Sequence, residues 1–264
     1  TMLLSMKFVE PVERTLHSRF KFRCHKDISC FNKCCRLTDI PLTPYDIVRM
    51  KNKLGISSGE FLDRYTYTHI DEKSSHPYAV LKMMDEAEGR CPFVTPEGCS
   101  IYEDRPSNCR YYPVGQGIMI KGSEKGPVNE EFYFFIRDPN CLGYQEDKEW
   151  TVETWRIDQG VDLYDEINRE WKEIQLRRDA IGQPRLDPKK QAMIYMASYD
   201  LDGFRRFIFE SRFFDLFDLD IDKEEVKKMK TDEIALMRFG FKYLKYILML
   251  EETLKVKKGY KRKV

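Results

Sequence analysis

Cysteine is the residue type in this chain whose placement points most directly to chemistry. Cysteine thiolates are ligands for both structural zinc and iron–sulfur clusters. We expect the chain to lie in a reducing compartment, the cytoplasm, where four disulfides would not persist. The cysteines are therefore predicted to bind metal. All eight lie in the first 141 residues: Cys24, Cys30, Cys34, Cys35, Cys91, Cys99, Cys109 and Cys141.

The spacing within the first four cysteines limits how they can share a metal. Cys30 and Cys34 are four residues apart, so on a helical turn they would share a face and could hold one ion. Cys35 follows at once and must point elsewhere. Because a disulfide between adjacent cysteines is strained, Cys34 and Cys35 can serve two metals, or one metal with a sharp backbone bend. Cys24 lies six residues before Cys30, within reach after a turn.

The later cysteines lie in loop sequence. Residues 85–115 are rich in proline, glycine and cysteine and have few apolar residues, so we expect little regular structure there. Ordering such a loop costs about 1–2 kcal/mol per residue, and a structural metal returns roughly 10–16 kcal/mol. Cys141 stands apart from the others. Eight thiolates suffice for two four-sulfur sites, zinc or cubane (4Fe–4S), or for one site and four bystanders; ordinary buried thiols are the alternative.

Two arginines flank one of the loop cysteines. Arg105 and Arg110 lie on either side of Cys109, where positive charge would lower thiol pKa values and offset the charge of a cluster. Both are candidate cofactor-binding residues. The alternative is a surface salt bridge to Glu103 or Asp104.

Imidazole and phenol side chains near the cysteines are secondary candidates. His25 adjoins Cys24 and is a possible ligand, although neighbouring side chains seldom bind one metal. His69 and His76 lie in polar sequence and are predicted to be exposed. Three tyrosines could stack over a cluster or contact a substrate, with local core as the alternative: Tyr102, Tyr111 and Tyr112.

Short elements surround the cysteines in the first half of the chain. Thr43-Pro44 is typical of a helix start and Gly55 of its end. Ser57 or Ser58 is predicted to cap a second helix. Apolar runs at 117–120 and 132–136, separated by turn residues, predict a β-hairpin.

After Cys141 the pattern becomes helical. Apolar residues recur at three- and four-residue steps between Val161 and Ile174, which predicts an amphipathic helix. Further helices are predicted around Met193 and Phe204 and over 236–248. The expected fold class is α+β, mostly α. The expected domains are a cysteine-rich module over 1–147 and a helical region over 148–264.

The order of motifs resembles a known family. The chain reads C-H-K-D-I-S-C-F-N-K-C-C-R at 24–36, C-P-F at 91–93, G-C at 98–99, I-Y-E-D-R-P at 101–106 and C-R-Y-Y-P at 109–113. This resembles the YkgJ family, a zinc- or iron-chelating CxxCxxCC domain that also includes flagellin lysine N-methylases. The resemblance covers about residues 20–115, extending towards 145. The first group departs from it, since C-x5-C-x3-C-C stands where the family has C-x2-C-x2-C-C.

The resemblance implies metal chelation. Because the methylase members are thought to carry an iron–sulfur cluster, it favours an iron–sulfur cofactor over zinc, whereas thiolate spacing alone suits both. We find no P-loop, no G-x-S-x-G and no H-E-x-x-H motif, and no C-x3-C-x2-C because Cys35 directly follows Cys34.

The composition limits the class of protein and its partners. The chain has 264 residues, 42% hydrophobic and 34% charged, with a net charge of +1, so no global field draws it to nucleic acid or membrane. Residues 1–8 lack the features of a signal peptide, and 239–250 is too short and too charged to span a bilayer. We expect a cytoplasmic protein with a protein partner or protein substrate.

Three functions remain open from the sequence. The first is an iron–sulfur protein in redox or radical chemistry, with protein-lysine methylation suggested by the resemblance. The second is a non-catalytic zinc module that binds a partner, and the third is a metal chaperone. Whether the chain is an enzyme stays open.

Overall fold

The computed structural model describes residues 8–123, 126–180, 182, 184–219 and 221–257. The chain divides into two compact units, each built from two chain segments. The first unit comprises the residues up to Leu42 together with Val80–Glu166, and the second comprises Thr43–Ala79 and the residues from Ile167 onward. The domain boundary at 147/148 stays a prediction. Residues 1–7, on which the signal-peptide prediction depends, lie outside the described residues.

The first unit contains short antiparallel strand pairs and two short helices. Its longest element is a hairpin in which Val114 pairs with Phe135, and the ladder continues outward to Ser123 and Gly126. The predicted hairpin is confirmed and is longer than predicted. The bounds in chain order are β1 Arg19–Lys21, β4 Val94–Thr95, β5 Gly98–Cys99, α3 Ser107–Tyr111, β6 Val114–Ser123, β7 Gly126–Phe135, β8 Glu149–Thr151 and α4 Val152–Gln159.

An aromatic core lies under the hairpin. The Phe20 ring packs 5.0 Å from that of Phe135, and Trp155 donates from Nε1 to the Tyr111 carbonyl at 2.9 Å. Aromatic side chains supply much apolar area per residue, which suits a unit with so little regular structure. The buried members are Phe20, Phe22, Tyr111, Val114, Tyr133, Phe135, Val152, Trp155 and Val161, with Tyr112, Cys141, Tyr144 and Trp150 packed against them.

Helices supply most of the remaining structure. The bounds are α1 Pro44–Leu54, α2 Ser58–Tyr65, β2 Thr66–Ile70, β3 Pro77–Leu81, α5 Val161–Ala180, α6 Pro188–Tyr199, α7 Leu201–Glu210, α8 Phe213–Leu216, β9 Phe217–Asp218, α9 Lys223–Lys228, α10 Glu233–Ile247 and β10 Lys255–Val256. Each strand pairs with a single neighbour in a two-stranded sheet. The predicted α+β, mostly α class is confirmed.

The helix starts follow the residues that predicted them. Thr43 and Asp46 form a reciprocal capping box at the start of α1, and Gly55 ends that helix with a φ of +67°. Ser57 caps α2 by accepting from the Glu60 amide at 3.1 Å. These confirmed boundaries depend on contacts within four residues, which is why the sequence indicated them.

One histidine prediction is wrong. His76 is only 3% exposed, because the loop between β2 and β3 folds back on itself and carries the ring inside. The Asp71 carboxylate accepts from the Ser74 amide at 2.7 Å, and the ring of His76 packs 4.8 Å from Tyr78 and 6.3 Å from Trp171. The β2–β3 sheet was not predicted, and without it the polar loop suggested exposure.

No helix within the described ranges combines the length and the apolar character that a membrane span requires.

Candidate metal centre

The first cysteine segment is a run of tight turns. Backbone bonds link Ile28 N to His25 O, Phe31 N to Ile28 O and Lys33 N to Cys30 O at 2.9–3.2 Å. Asn32 has a φ of +65°, a left-handed conformation that asparagine tolerates better than most residues. These turns give the sulfurs more varied directions than one regular helix would.

The second cysteine segment is tied to the first through the backbone. The Cys91 amide donates to the Cys35 carbonyl at 2.9 Å, and the Asn32 side-chain amide donates to the Thr95 carbonyl at 2.9 Å. Cys99 is held by pairing with Val94 between β4 and β5. Cysteines separated by more than fifty residues in sequence are therefore neighbours.

Cys141 does not stand apart in the structure. The Leu142 amide, next along the chain, donates to the Cys30 Sγ atom at 3.3 Å. The Cys141 amide itself donates to the Asp138 carbonyl at 2.9 Å, which closes the turn that presents the cysteine. The last cysteine thus reaches the first segment across more than a hundred residues.

Four cysteines interact electrostatically as one set, which we call the first cysteine group: Cys24, Cys30, Cys34 and Cys141. Burial raises the pKa of Cys24 to about 11, with further contributions from the other three sulfurs. Burial also raises the pKa of Cys141, and Cys30 and Cys34 add to the rise. As whole residues Cys24 and Cys34 are exposed, although their thiol groups are partly covered by the protein.

The other four cysteines form a second cysteine group: Cys35, Cys91, Cys99 and Cys109. Cys35 interacts with Cys109 and Cys91, and Cys91 interacts with Cys99. Burial raises the pKa of Cys91 to about 11, and it raises that of Cys99 too. No member of this group is exposed, in contrast to the first group.

The two groups meet at the adjacent pair Cys34 and Cys35. A hydrogen bond between the two side chains lowers the pKa of Cys34 to about 7 and raises that of Cys35. The pair therefore divides the cysteines, because one sulfur joins each group. This is the arrangement in which neighbouring residues can serve two metals.

The arginines flanking Cys109 are buried. Arg105 lies over the Tyr102 ring at 3.8 Å, and its charge lowers the pKa of Cys99 and interacts with Cys109. Arg110 donates to main-chain carbonyls, including that of Gln159 at 2.7 Å. Arg105 thus places positive charge beside the second group, whereas the Arg110 hydrogen bonds hold the loop. Both arginines are only 7% exposed, so they lie inside the first unit and not on its surface.

Carboxylates flank the candidate histidine ligand. The His25 Nε2 atom lies 3.3 Å from the Glu146 Oε2 atom, and its Nδ1 atom lies 3.8 Å from the Asp27 Oδ2 atom. Those contacts account for the position of the ring without a metal. Its role as a ligand stays a prediction.

The three tyrosines have different environments. The Tyr102 ring is 53% exposed, and the Tyr111 hydroxyl donates to the Asp165 carboxylate inside the core. The Tyr112 hydroxyl is buried, and it makes no hydrogen bond of regular geometry with the described residues. The group that it faces is the Cys141 thiol, with Cys34 also close enough to interact. Only Tyr112 points towards the first cysteine group.

Backbone amides directed at sulfur are functional groups that residue types could not indicate. The Phe93 and Val94 amides donate to Cys91, the Ile101 amide donates to Cys99, and the Gly143 amide donates to Cys141. Such bonds stabilise thiolate and adjust metal–sulfur chemistry. The one available sequence signal was the turn residues that follow the cysteines.

The sulfurs are not closed around a common point. Across the described part of the chain, no three or more His, Cys, Asp or Glu side chains are arranged to hold a metal ion. The grouping of the eight thiols is therefore one of neighbourhood and mutual electrostatics.

A model of a known protein family matches part of the chain. Residues 23–142 match the family model CxxCxxCC, described as "Putative zinc- or iron-chelating domain". All eight cysteines lie within the matched residues, and the predicted resemblance is confirmed over this segment. None of the curated proteins and none of the solved structures matched the chain.

Proposed function

We propose, from the premise that residues 23–142 belong to the zinc- or iron-chelating CxxCxxCC domain family, that this segment binds metal at two four-cysteine sites. The first site would use Cys24, Cys30, Cys34 and Cys141, and the second Cys35, Cys91, Cys99 and Cys109. The observation that carries the proposal is that hydrogen bonds bring distant cysteine segments together, from Cys91 N to Cys35 O at 2.9 Å and from Leu142 N to Cys30 Sγ at 3.3 Å. The mutual electrostatics of the thiols then assign four cysteines to each group.

The donor set fits the proposed metals. Four thiolates per site are the usual ligands of structural zinc and of iron–sulfur clusters. Arg105 and the backbone amides would offset part of the negative charge that four thiolates gather. Binding must displace the thiol protons, since burial keeps the pKa of Cys24 and Cys91 near 11.

We favour an iron–sulfur cluster, because the family resemblance inclines towards iron and the donors suit it. When bound, the cluster would supply electron transfer, which gives the protein a redox role. This chain's own residues would hold the sulfurs, screen the second group from water and balance charge through Arg105. Protein-lysine methylation, with a protein as substrate, is a narrower proposal that depends on the resemblance alone.

The second candidate function is metal delivery or partner binding with zinc. The favouring observation is that Cys24 and Cys34 are exposed as residues, because a site near the protein surface can pass a metal to another protein. The second group, with no exposed member, would then act as the structural site. The two candidates differ in the metal and in how readily the first group releases it.

Anaerobic purification followed by iron, zinc and sulfide analysis tests the metal. A brown protein with iron and acid-labile sulfide in equal amounts is expected. A colourless protein with stoichiometric zinc would replace the first candidate by the second. Protein that holds neither metal after reconstitution would contradict both.

Paired cysteine variants test the division into groups. Cys141→Ser is expected to lose half of the bound metal, and so is Cys99→Ser. Because Cys24 belongs with Cys141, the double variant Cys24→Ser/Cys141→Ser should lose no more than Cys141→Ser alone. The double variant Cys99→Ser/Cys141→Ser should lose all of it. Equal losses in the two double variants would contradict the assignment.

A further inference from the structure

The first cysteine group has a neighbouring side chain that none of the preceding roles requires. Tyr112 lies at the start of the chain segment that leads into β6, and its ring packs edge-on against Phe22 at 6.0 Å. Both Tyr112 and Cys141 pack against the aromatic core of the first unit. The ring is therefore held from behind while its hydroxyl faces the sulfurs.

The polar group that the Tyr112 hydroxyl faces is the Cys141 thiol. The oxygen is buried, and its contact with that thiol does not have the geometry of a regular hydrogen bond. A buried polar atom in this condition costs free energy, and such atoms in native proteins call for an explanation. The neutral thiol of Cys141 that it faces is a weak acceptor.

Metal binding would convert that weak acceptor into a strong one. A coordinated cysteine carries no proton, so its sulfur is a charged acceptor and the phenol can only donate to it. Two neighbouring backbone amides also donate to sulfur atoms of this group: the Leu142 amide donates to Cys30 Sγ at 3.3 Å, and the Gly143 amide donates to the Cys141 sulfur. Two sulfurs of the first group thus receive hydrogen bonds from one chain turn.

We propose that Tyr112 is a positioning residue of the first cysteine group, whose hydroxyl donates to the Cys141 sulfur when that sulfur binds metal. The inference rests on the proposed function, because it assigns a hydrogen-bond donor to a site that must first hold a metal. The proposed role of Tyr112 concerns the first cysteine group alone. The second group has the Arg105 guanidinium nearby in place of a phenol.

The test compares release of Co²⁺ from wild type, Tyr112→Phe and a control, Tyr195→Phe. The phenylalanine ring keeps the contact with Phe22, so only the hydroxyl is removed from the site. Tyr195 is a tyrosine of α6, packed 5.1 Å from Tyr199 and remote in sequence from every cysteine. Thiolate-to-cobalt absorption bands report on the bound sulfurs directly, and a chelator drives the release.

Tyr112→Phe should bind the same amount of Co²⁺ as wild type, with one of the two release phases faster by roughly 10–100-fold, the usual effect of removing an outer hydrogen bond. Its thiolate bands should shift, and Tyr195→Phe should match wild type in both readouts. Release and spectra identical to wild type would overturn the role of Tyr112 and leave the metal sites standing. A wild-type protein that binds no Co²⁺ would overturn the sites and this inference together.

Discussion

The buried imidazole of His76 should make the stability of the second unit depend on pH. The ring lies between Tyr78 and Trp171, and its Nε2 atom has no hydrogen-bond partner among the described residues. Burial, together with the nearby Arg178 charge, lowers the pKa of His76 to about 3. The imidazole is therefore neutral in the folded protein, and acid favours the unfolded state, in which it can accept a proton.

The sign and size follow from the two pKa values. An unfolded histidine titrates near 6.5, so below that pH the unfolded chain binds a proton that the folded one refuses. The stabilisation is complete above about pH 6.5 and is lost down to about pH 3, at about 1.4 kcal/mol for each pH unit. Lowering the pH from 7 to 5 should cost about 2 kcal/mol in the free energy of unfolding.

Urea unfolding at pH 7, 6 and 5 measures this loss, and the comparison with His76→Phe isolates it from other titrating groups. Between pH 7 and pH 5, the free energy of unfolding of His76→Phe should fall by about 2 kcal/mol less than that of wild type. His69→Gln is the matched control, since it removes a histidine from the same hairpin and leaves His76 in place. The reasoning fails if NMR shows His76 titrating near its ordinary pKa, or if wild type and His76→Phe lose stability in parallel.

Three substitutions test other packing and capping contacts by urea unfolding. Thr43→Ala removes the side chain that caps α1 and should cost about 1 kcal/mol; no loss would mean that the capping box contributes nothing. Lys51→Met leaves Glu233, now 2.6 Å from the ammonium, without its cation and should cost about 2 kcal/mol at pH 7, less in acid. Gly240→Ala puts a Cβ atom 2.8 Å from the Ala197 carbonyl between α10 and α6 and should cost about 1–3 kcal/mol, whereas an unchanged midpoint would show that the helices separate freely.

Local signals were sufficient for many of the elements. The start and end of α1 depend on Thr43, Asp46 and Gly55, all within one helix length of each other. The apolar repeat from Val161 to Ile174 predicted α5, and each of those two residues is buried. In these cases the residues that determine the structure are close in sequence, so the pattern alone was informative.

The division of the cysteines could not be predicted in the same way. The sequence allowed two four-sulfur sites but did not assign ligands, because contacts between distant segments decide which sulfurs meet. The Cys35 carbonyl accepts from Cys91, which brings one cysteine of the adjacent pair to the second segment. The prediction that His76 is exposed was wrong for the same reason, since the ring packs against Trp171, ninety-five residues later in the chain.

The hairpin explains how Cys141 reaches the first group. The chain leaves through Pro113 into β6 and returns through β7, and the Ile136 amide closes the base by donating to the Pro113 carbonyl at 2.9 Å. The Tyr144 hydroxyl donates to the Ile136 carbonyl, also at 2.9 Å, and fixes the segment that carries Cys141. Because the base brings together Tyr112 and Cys141, the ends of the hairpin matter to the site more than its tip. A register shift of one residue would turn the side chains of the shifted strand to its opposite face and move the returning segment, so the pairing of Val114 with Phe135 helps to position Cys141.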